Sequence, residues 1–286
     1  MINFKFAFWG TPEVSSQTLE ILFSHGYIPS IIITSPDAPS GRGMQIHESP
    51  TSIWAKEHNI KYLKPDKLDN TFIEEFKKIK VNLSIVVAYG KIIPESVINI
   101  PTKGTINIHY SLLPKYRGAS PLESCLLNGD TETGISIQQM VFKLDSGPIL
   151  AEEKIPIEIG ETKAILREKL IKLGGKLLCG ILPKIIDGKI TLTTQDENKA
   201  THCKKINKED GEINPSDNSI ETYNKYRAFA DWPGSYFFVS KNNKKIRVKV
   251  KEALLENGLF SIKRVIPEGK KEIAYSDFLK QINTSM

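Results

Sequence analysis

The sequence predicts an α/β protein: a doubly wound, open and mostly parallel sheet, followed by a small β-rich domain of the OB-like kind. Three observations carry that expectation. The first two-thirds alternates short apolar runs with helical patterns, the sign of parallel β-α-β units. Asp187-Gly188 then stops a long helical pattern and a polar stretch follows. Short alternating strands with turn signals fill the remaining third.

In chain order, Phe4–Trp9 alternates into a strand that ends at Gly10, and Pro12 opens a helix near Glu13–Ser24. Ile28–Thr34 is a second β-rich run, followed by a polar, proline-bearing loop over Ser35–Ser49. Thr51–His58 and Asn70–Lys80 read as helices, Leu83–Ala88 as a buried strand and Gly104–Ile108 as a further strand. Gly134–Met140 and Ile149–Ile157 form an expected β pair before the long helix Thr162–Ile186. Beyond it, Ser219–Phe229 is helical, and Tyr236–Val239, Lys245–Leu254 and Gly258–Val265 are expected strands. The resulting division is a catalytic domain over 1–188, a linker over 189–203 and a basic OB-like domain over 204–286.

Composition bounds the function. The chain has 286 residues, 40% hydrophobic and 25% charged, which is the balance of a folded globular protein. Its net charge of +6 is uneven. Residues 1–203 carry 23 basic and 22 acidic side chains, whereas 204–286 carry 16 and 11, so the last third is the part suited to a polyanion. No apolar run approaches the roughly 18 residues of a membrane span, and the start lacks a signal peptide's cleavage region. A cytoplasmic monomer is the expectation. Cys125, Cys179 and Cys203 are too scattered for a disulfide framework, and His25, His47, His58 and His202 show no ligand spacing. No metal is expected. The turn Gly10-Thr-Pro-Glu has one glycine where a dinucleotide fingerprint needs three.

The chemistry lies in Gly104–Pro121, GTINIHYSLLPKYRGASP. Asn107 and His109 are two apart on a strand, so their side chains share a face near its carboxyl end. An amide that donates to an oxyanion beside an imidazole that moves a proton suits attack on a carbonyl. A polar strand end satisfied by backbone is the plainer alternative. Asp145, in LDSGP between two expected strands, is a carboxylate that would favour an imidazolium, or a simple turn former.

The run NIHYSLLPKYRGASP, with LDSGPIL some thirty residues later, closely resembles the signature of the 10-formyltetrahydrofolate-dependent formyltransferases. The resemblance implies formyl transfer, with Asn107, His109 and Asp145 as the catalytic set. It also implies a folate cleft along Ser111, Leu112, Leu113 and Pro114, walled by the strand and loop that include Val87, Ala88, Tyr89 and Gly90. The co-substrate so implied is 10-formyltetrahydrofolate.

Three further matches point, within that family, to the members whose acceptor is methionine on initiator tRNA: FAFWGTPEVSSQTLEIL, the loop TSPDAPSGRGMQIHESP, and YRAFADWPGSYF. They imply initiator Met-tRNA as partner, with Arg42 of the loop and Arg117 on phosphate. Met44-Gln45 and Ser52 stand where the family carries lysines, Asn214-Pro215 replaces an Asp-Trp, and the last domain is short. In that domain Lys245, Arg247, Lys249 and Lys251 alternate with Ile246, Val248 and Val250, which puts the charges on one strand face for a phosphate backbone. The alternatives are a formyltransferase acting on an amino-sugar nucleotide and a non-catalytic RNA-binding relative.

Overall fold

The computed structural model describes residues 4–40, 44–241 and 244–283, so Arg42 lies outside the described residues. The chain divides into two compact units. The first comprises Met1–Arg117, Gly134–Lys154 and Lys169–Thr201; the second comprises Gly118–Thr133, Ile155–Glu168 and His202–Met286. The units therefore do not part at residue 188. The segment expected as a linker packs within the first unit as far as Thr201.

The first unit is built on a seven-stranded sheet. Its strands are β1 (Phe6–Gly10), β2 (Ile31–Ile33), β5 (Tyr62–Leu63), β6 (Leu83–Val87), β7 (Thr105–His109), β9 (Glu132–Gln139) and β10 (Ile149–Pro156), in the order β10-β9-β7-β6-β1-β2-β5. The five from β7 to β5 run parallel, and β9 is antiparallel to β7. Continuous apolar strands such as Ile31–Ile33 are what a parallel sheet covered on both faces requires, and β1, β2 and β6 are buried throughout.

The connecting helices follow from local signals. Helix α1 (Glu13–Ser24) starts after Pro12, whose fixed φ suits a helix entry. Helix α2 (Pro50–Glu57) is capped by Ser49, which accepts from the Ser52 amide, with Pro50 at the first position. Helix α3 (Asn70–Ile79) is capped by Asp69 and buries Phe72 and Phe76, one turn apart. Both rings meet Trp9 of β1 edge-on, at 5.8 and 5.3 Å between centroids. The polar loop Ser35–Ser49 also holds a short antiparallel pair, β3 (Ala38–Ser40) with β4 (Gln45–His47), whose three-residue strands are too brief to show a period. Short α4 (Glu95–Ile98) and the two-residue β8 (Arg117–Gly118) precede α5 (Pro121–Leu127), and α6 (Lys163–Ile186) is the expected long helix.

From β1 the chain builds outward through β2 to β5, then returns to β6 on the other side of β1. That reversal opens a crevice at the carboxyl ends of β1 and β6, where ligands of such sheets bind. Two hydroxyls tie its sides together: Ser15 donates to the Val87 carbonyl at 2.6 Å and Thr11 to that of Tyr89 at 2.9 Å. The approach is close enough to require glycine at position 10, where a Cβ would lie 2.8 Å from the Val87 oxygen.

In the second unit, after β11 (His202–Cys203) and α7 (Ser219–Ala228), an antiparallel sheet runs β12 (Tyr236–Lys241), β13 (Lys244–Glu256), β14 (Leu259–Pro267), β15 (Ile273–Ala274). Helix α8 (Tyr275–Asn283) adds Phe278 to a core with Phe237, Val248, Val250, Ile262 and Val265. Asn257-Gly258 joins β13 to β14 with both residues at positive φ, the conformation that primed hairpin turns need. Among the described residues β12 and β15 do not pair, so the sheet is open. No helix of the described residues is long and apolar enough to cross a membrane.

Candidate active site

Strand β7 delivers both expected residues to one sheet face at its carboxyl end. His109 is 5% exposed and Asn107 half-buried. The antiparallel neighbour β9 sets Gln138 opposite Asn107 and Ser136 opposite His109.

The imidazole is held from both sides. Its Nε2 lies 2.9 Å from the Tyr116 carbonyl oxygen, which can only accept, so Nε2 carries the proton. Nδ1 is left basic, 3.7 Å from Oδ2 of Asp145. That is too long for a hydrogen bond in the resting geometry and close enough to stabilise a proton arriving on Nδ1. Burial pushes the imidazole below its ordinary value, while the Asp145 carboxylate and the Tyr116 carbonyl draw it back up. A neutral, proton-accepting His109 at neutral pH is the outcome.

The turn that carries Asp145 is tightly constrained. Asp145 has φ +47°, a left-handed conformation that Asp tolerates better than most side chains. Gly147 admits no side chain, since a Cβ there would sit 1.7 Å from the Gln139 carbonyl oxygen. Ala88 (φ +49°), also of the expected site, and Tyr116 (φ +59°), whose carbonyl meets His109, are left-handed too.

The Ser111–Pro114 turn is propped by β9. Ser136 Oγ accepts from the Leu113 amide at 2.9 Å and lies 2.8 Å from the Ser111 carbonyl and 2.9 Å from Glu152. Ser111 and Leu113 are buried, while Leu112 and Pro114 are partly accessible. On the facing loop Ala88 and Gly90 are exposed but Val87 and Tyr89 are not. Tyr89 corrects the expectation most clearly. Its ring packs edge-on against Trp9, 5.3 Å between centroids, so only its backbone can face a ligand. Burial pushes its phenol up to about 12. The residues left open for a folate-sized ligand are thus Ala88, Gly90, Leu112 and Pro114, beside Asn107.

Arg117 is the second correction. Expected on phosphate, it is 1% exposed. Its guanidinium donates to Glu197 at 2.7 and 3.1 Å and to Oε1 of Gln195 at 2.8 and 3.1 Å. Arg117 and Lys143 together hold the Glu197 carboxyl down at about 2. A cation so engaged is a structural tie. Gln195 in turn donates to the carbonyls of Asp145 at 2.9 Å and Gly147 at 2.7 Å. Gln138 and Gln195 were not among the expected site residues. Gln138 has a legible signal, the alternation of Ser136 and Gln138 with Ile135 and Ile137 along ISIQQ, whereas Gln195 lies in a stretch of linker composition.

In the second unit Lys245 and Lys249 are exposed and Arg247 half-buried, while Val248 and Val250 point into the core. Lys245 Nζ stands 4.0 Å above the Phe238 ring and the Arg247 guanidinium 5.5 Å from that of Tyr236. Lys251 is exposed like Lys245 and Lys249. The register shifts between Val250 and Glu252, and with Glu252 also exposed the alternation ends after Lys251.

Residues 10–182 match the formyl transferase family model and residues 205–261 match that of the formyl transferase C-terminal domain. The methionyl-tRNA formyltransferase of Sulfurihydrogenibium sp. is 40% identical over 81% of this chain and 75% of its own length. That of Geobacter sulfurreducens is 35% identical over 98% and 94%. Among solved structures, an N-formyltransferase from Helicobacter canadensis, in complex with folinic acid and dTDP-3-aminofucose, is similar with a TM-score of 0.67 at 20% identity, covering 95% of this chain and 98% of that one. At that identity the likeness speaks for the fold alone.

Proposed function

Because the chain belongs to the methionyl-tRNA formyltransferase family, we propose that it transfers the formyl group of 10-formyltetrahydrofolate to the α-amine of methionine on initiator tRNA, in the cytoplasm. The observation that carries this reading is the buried His109, its Nε2 committed to Tyr116 and its Nδ1 facing Asp145, two residues beyond Asn107 on one strand face. The folate supplies an electrophilic formyl carbon. Ala88, Gly90, Leu112 and Pro114 are the accessible residues that fit its flat ring system, with Asn107 at the reacting end.

The residues then have distinct tasks. The Asn107 amide donates to the formyl oxygen as negative charge builds on it during attack by the amine. His109 Nδ1 accepts the proton that the amine must lose, and the Asp145 carboxylate stabilises the imidazolium so formed. The same proton then passes to the departing folate nitrogen as its bond to the formyl carbon breaks, so His109 returns to its resting state. Burial that keeps His109 neutral also disfavours the protonated amine, which cannot attack.

The basic face of β13, with Lys245 and Lys249 exposed beside Phe238, suits a tRNA acceptor and has no task with a small sugar amine. The test is formylation by the purified protein with charged initiator tRNA and, separately, with an amino-sugar nucleotide. Turnover on the tRNA alone is expected. Turnover on the sugar alone, or on neither, would refute the reading.

A further inference from the structure

Behind Asp145 runs a chain of buried amides. Gln138 Nε2 donates to Asp145 Oδ1 at 2.8 Å, Gln138 Oε1 lies 3.4 Å from Gln195 Nε2, and Gln195 Oε1 accepts from Arg117. Gln138, Gln195 and Arg117 are all nine-tenths buried or more. The two ends of the chain fix its direction. A carboxylate accepts only and a guanidinium donates only, so each amide between them has one orientation that satisfies its neighbours. Oxygen must face Arg117 on Gln195, and nitrogen must face Asp145 on Gln138.

Resting on the reading that His109 and Asp145 carry the transfer, we infer that Gln138 is a positioning residue whose amide holds one oxygen of Asp145 so that the other faces the His109 imidazole. The amide suits this task because it is neutral. A cation at the same place would compete with His109 for the charge of Asp145, and an aliphatic side chain would remove this hold on the carboxylate. The positive charge of Arg117 is kept one amide further back and is met there by Glu197. Gln195 adds a second hold, on the main chain of the same turn, through the carbonyls of Asp145 and Gly147.

Three variants test this. Gln138→Leu removes the donor and should lower kcat about tenfold to 100-fold, with KM for folate and tRNA unchanged. In an Asp145→Asn background the same substitution should cost less than about threefold, because its effect runs through the carboxylate. Gln138→Glu keeps the shape and places two carboxyls together, which share a proton at low pH. The protonated Glu donates as the amide did, so the ratio of variant to wild-type kcat should be highest in acid and fall as pH rises. Multiplying losses in the double variant, a pH-independent ratio, or wild-type kcat in Gln138→Leu would each overturn the inference. The ring-nitrogen NMR titration of His109 gives a readout apart from turnover. Gln138→Glu should displace it, and an undisplaced curve would overturn the inference. Absence of turnover in the wild type would instead count against the proposed reaction.

Discussion

The buried site of the first unit and the basic sheet of the second use polar groups in opposite ways. Around His109 every group is held by another: the imidazole by Tyr116, Asp145 by Gln138, the turn by Gln195, and Gln195 by Arg117. On β13 the lysines are exposed and face solvent from a strand whose other face makes the core. Low dielectric makes the first set strong, directional and mutually dependent. Solvent makes the second set weak singly and additive. Damage should therefore be large and specific in one region, small and graded in the other.

The sharpest form of that contrast is Asn107→Ala. Loss of one oxyanion donor should reduce kcat about 100-fold to 1000-fold with tRNA affinity intact. Steady-state kinetics beside a binding isotherm checks both, and a loss confined to affinity would erase the contrast.

Arg117→Leu should lower stability by about 2 kcal/mol, because it leaves a buried amide oxygen of Gln195 without its donor. Urea unfolding reads that loss, while tRNA affinity should stay within about twofold. Unchanged stability with weakened tRNA binding would return Arg117 to the phosphate role.

Replacing Lys245 and Lys249 together by Gln should weaken tRNA binding about tenfold, equally for initiator and elongator tRNA. The slope of log affinity against log salt should flatten by about 1 to 2. Unfolding midpoints should barely move. If the variant keeps its affinity but aggregates, the lysines serve to protect a strand instead.

The smallest effect concerns pH. With His109 held below its ordinary value by burial, kcat/KM should keep more than half its maximum at pH 6.5 and fall only in more acid solution. Asp145 raises that value, so Asp145→Asn should move the acid limb further down in pH while lowering the rate. A limb that moves up would show that Asp145 does not act on His109.

Much of this contrast was legible in the chain. Helix α1 starts and stops where Pro12 and the following periodicity place it, and β7 brings Asn107 and His109 to one face as a period of two demands. The exposed alternation over Lys245–Lys249 was equally visible. What escaped depends on distant contacts. Arg117 looks like a surface cation in PKYRGASP until residues 195 and 197 fold against it. Tyr89 reads as a cleft residue, and only the packing of Trp9 shows its ring turned inward. The break in alternation after Lys251 comes from a bulge set by pairing with β14, which no local pattern announces. Residues 118–133 belong with the second unit because α5 packs on α7, a contact about a hundred residues long in sequence.

The central claim is that a buried, neutral His109 moves the proton in formyl transfer. The most direct measurement is the single-turnover formylation rate of His109→Ala with saturating charged initiator tRNA and 10-formyltetrahydrofolate, in protein shown folded by circular dichroism. The account predicts a rate at least about 100-fold below wild type with both ligands still bound. A rate within a few-fold of wild type would contradict it.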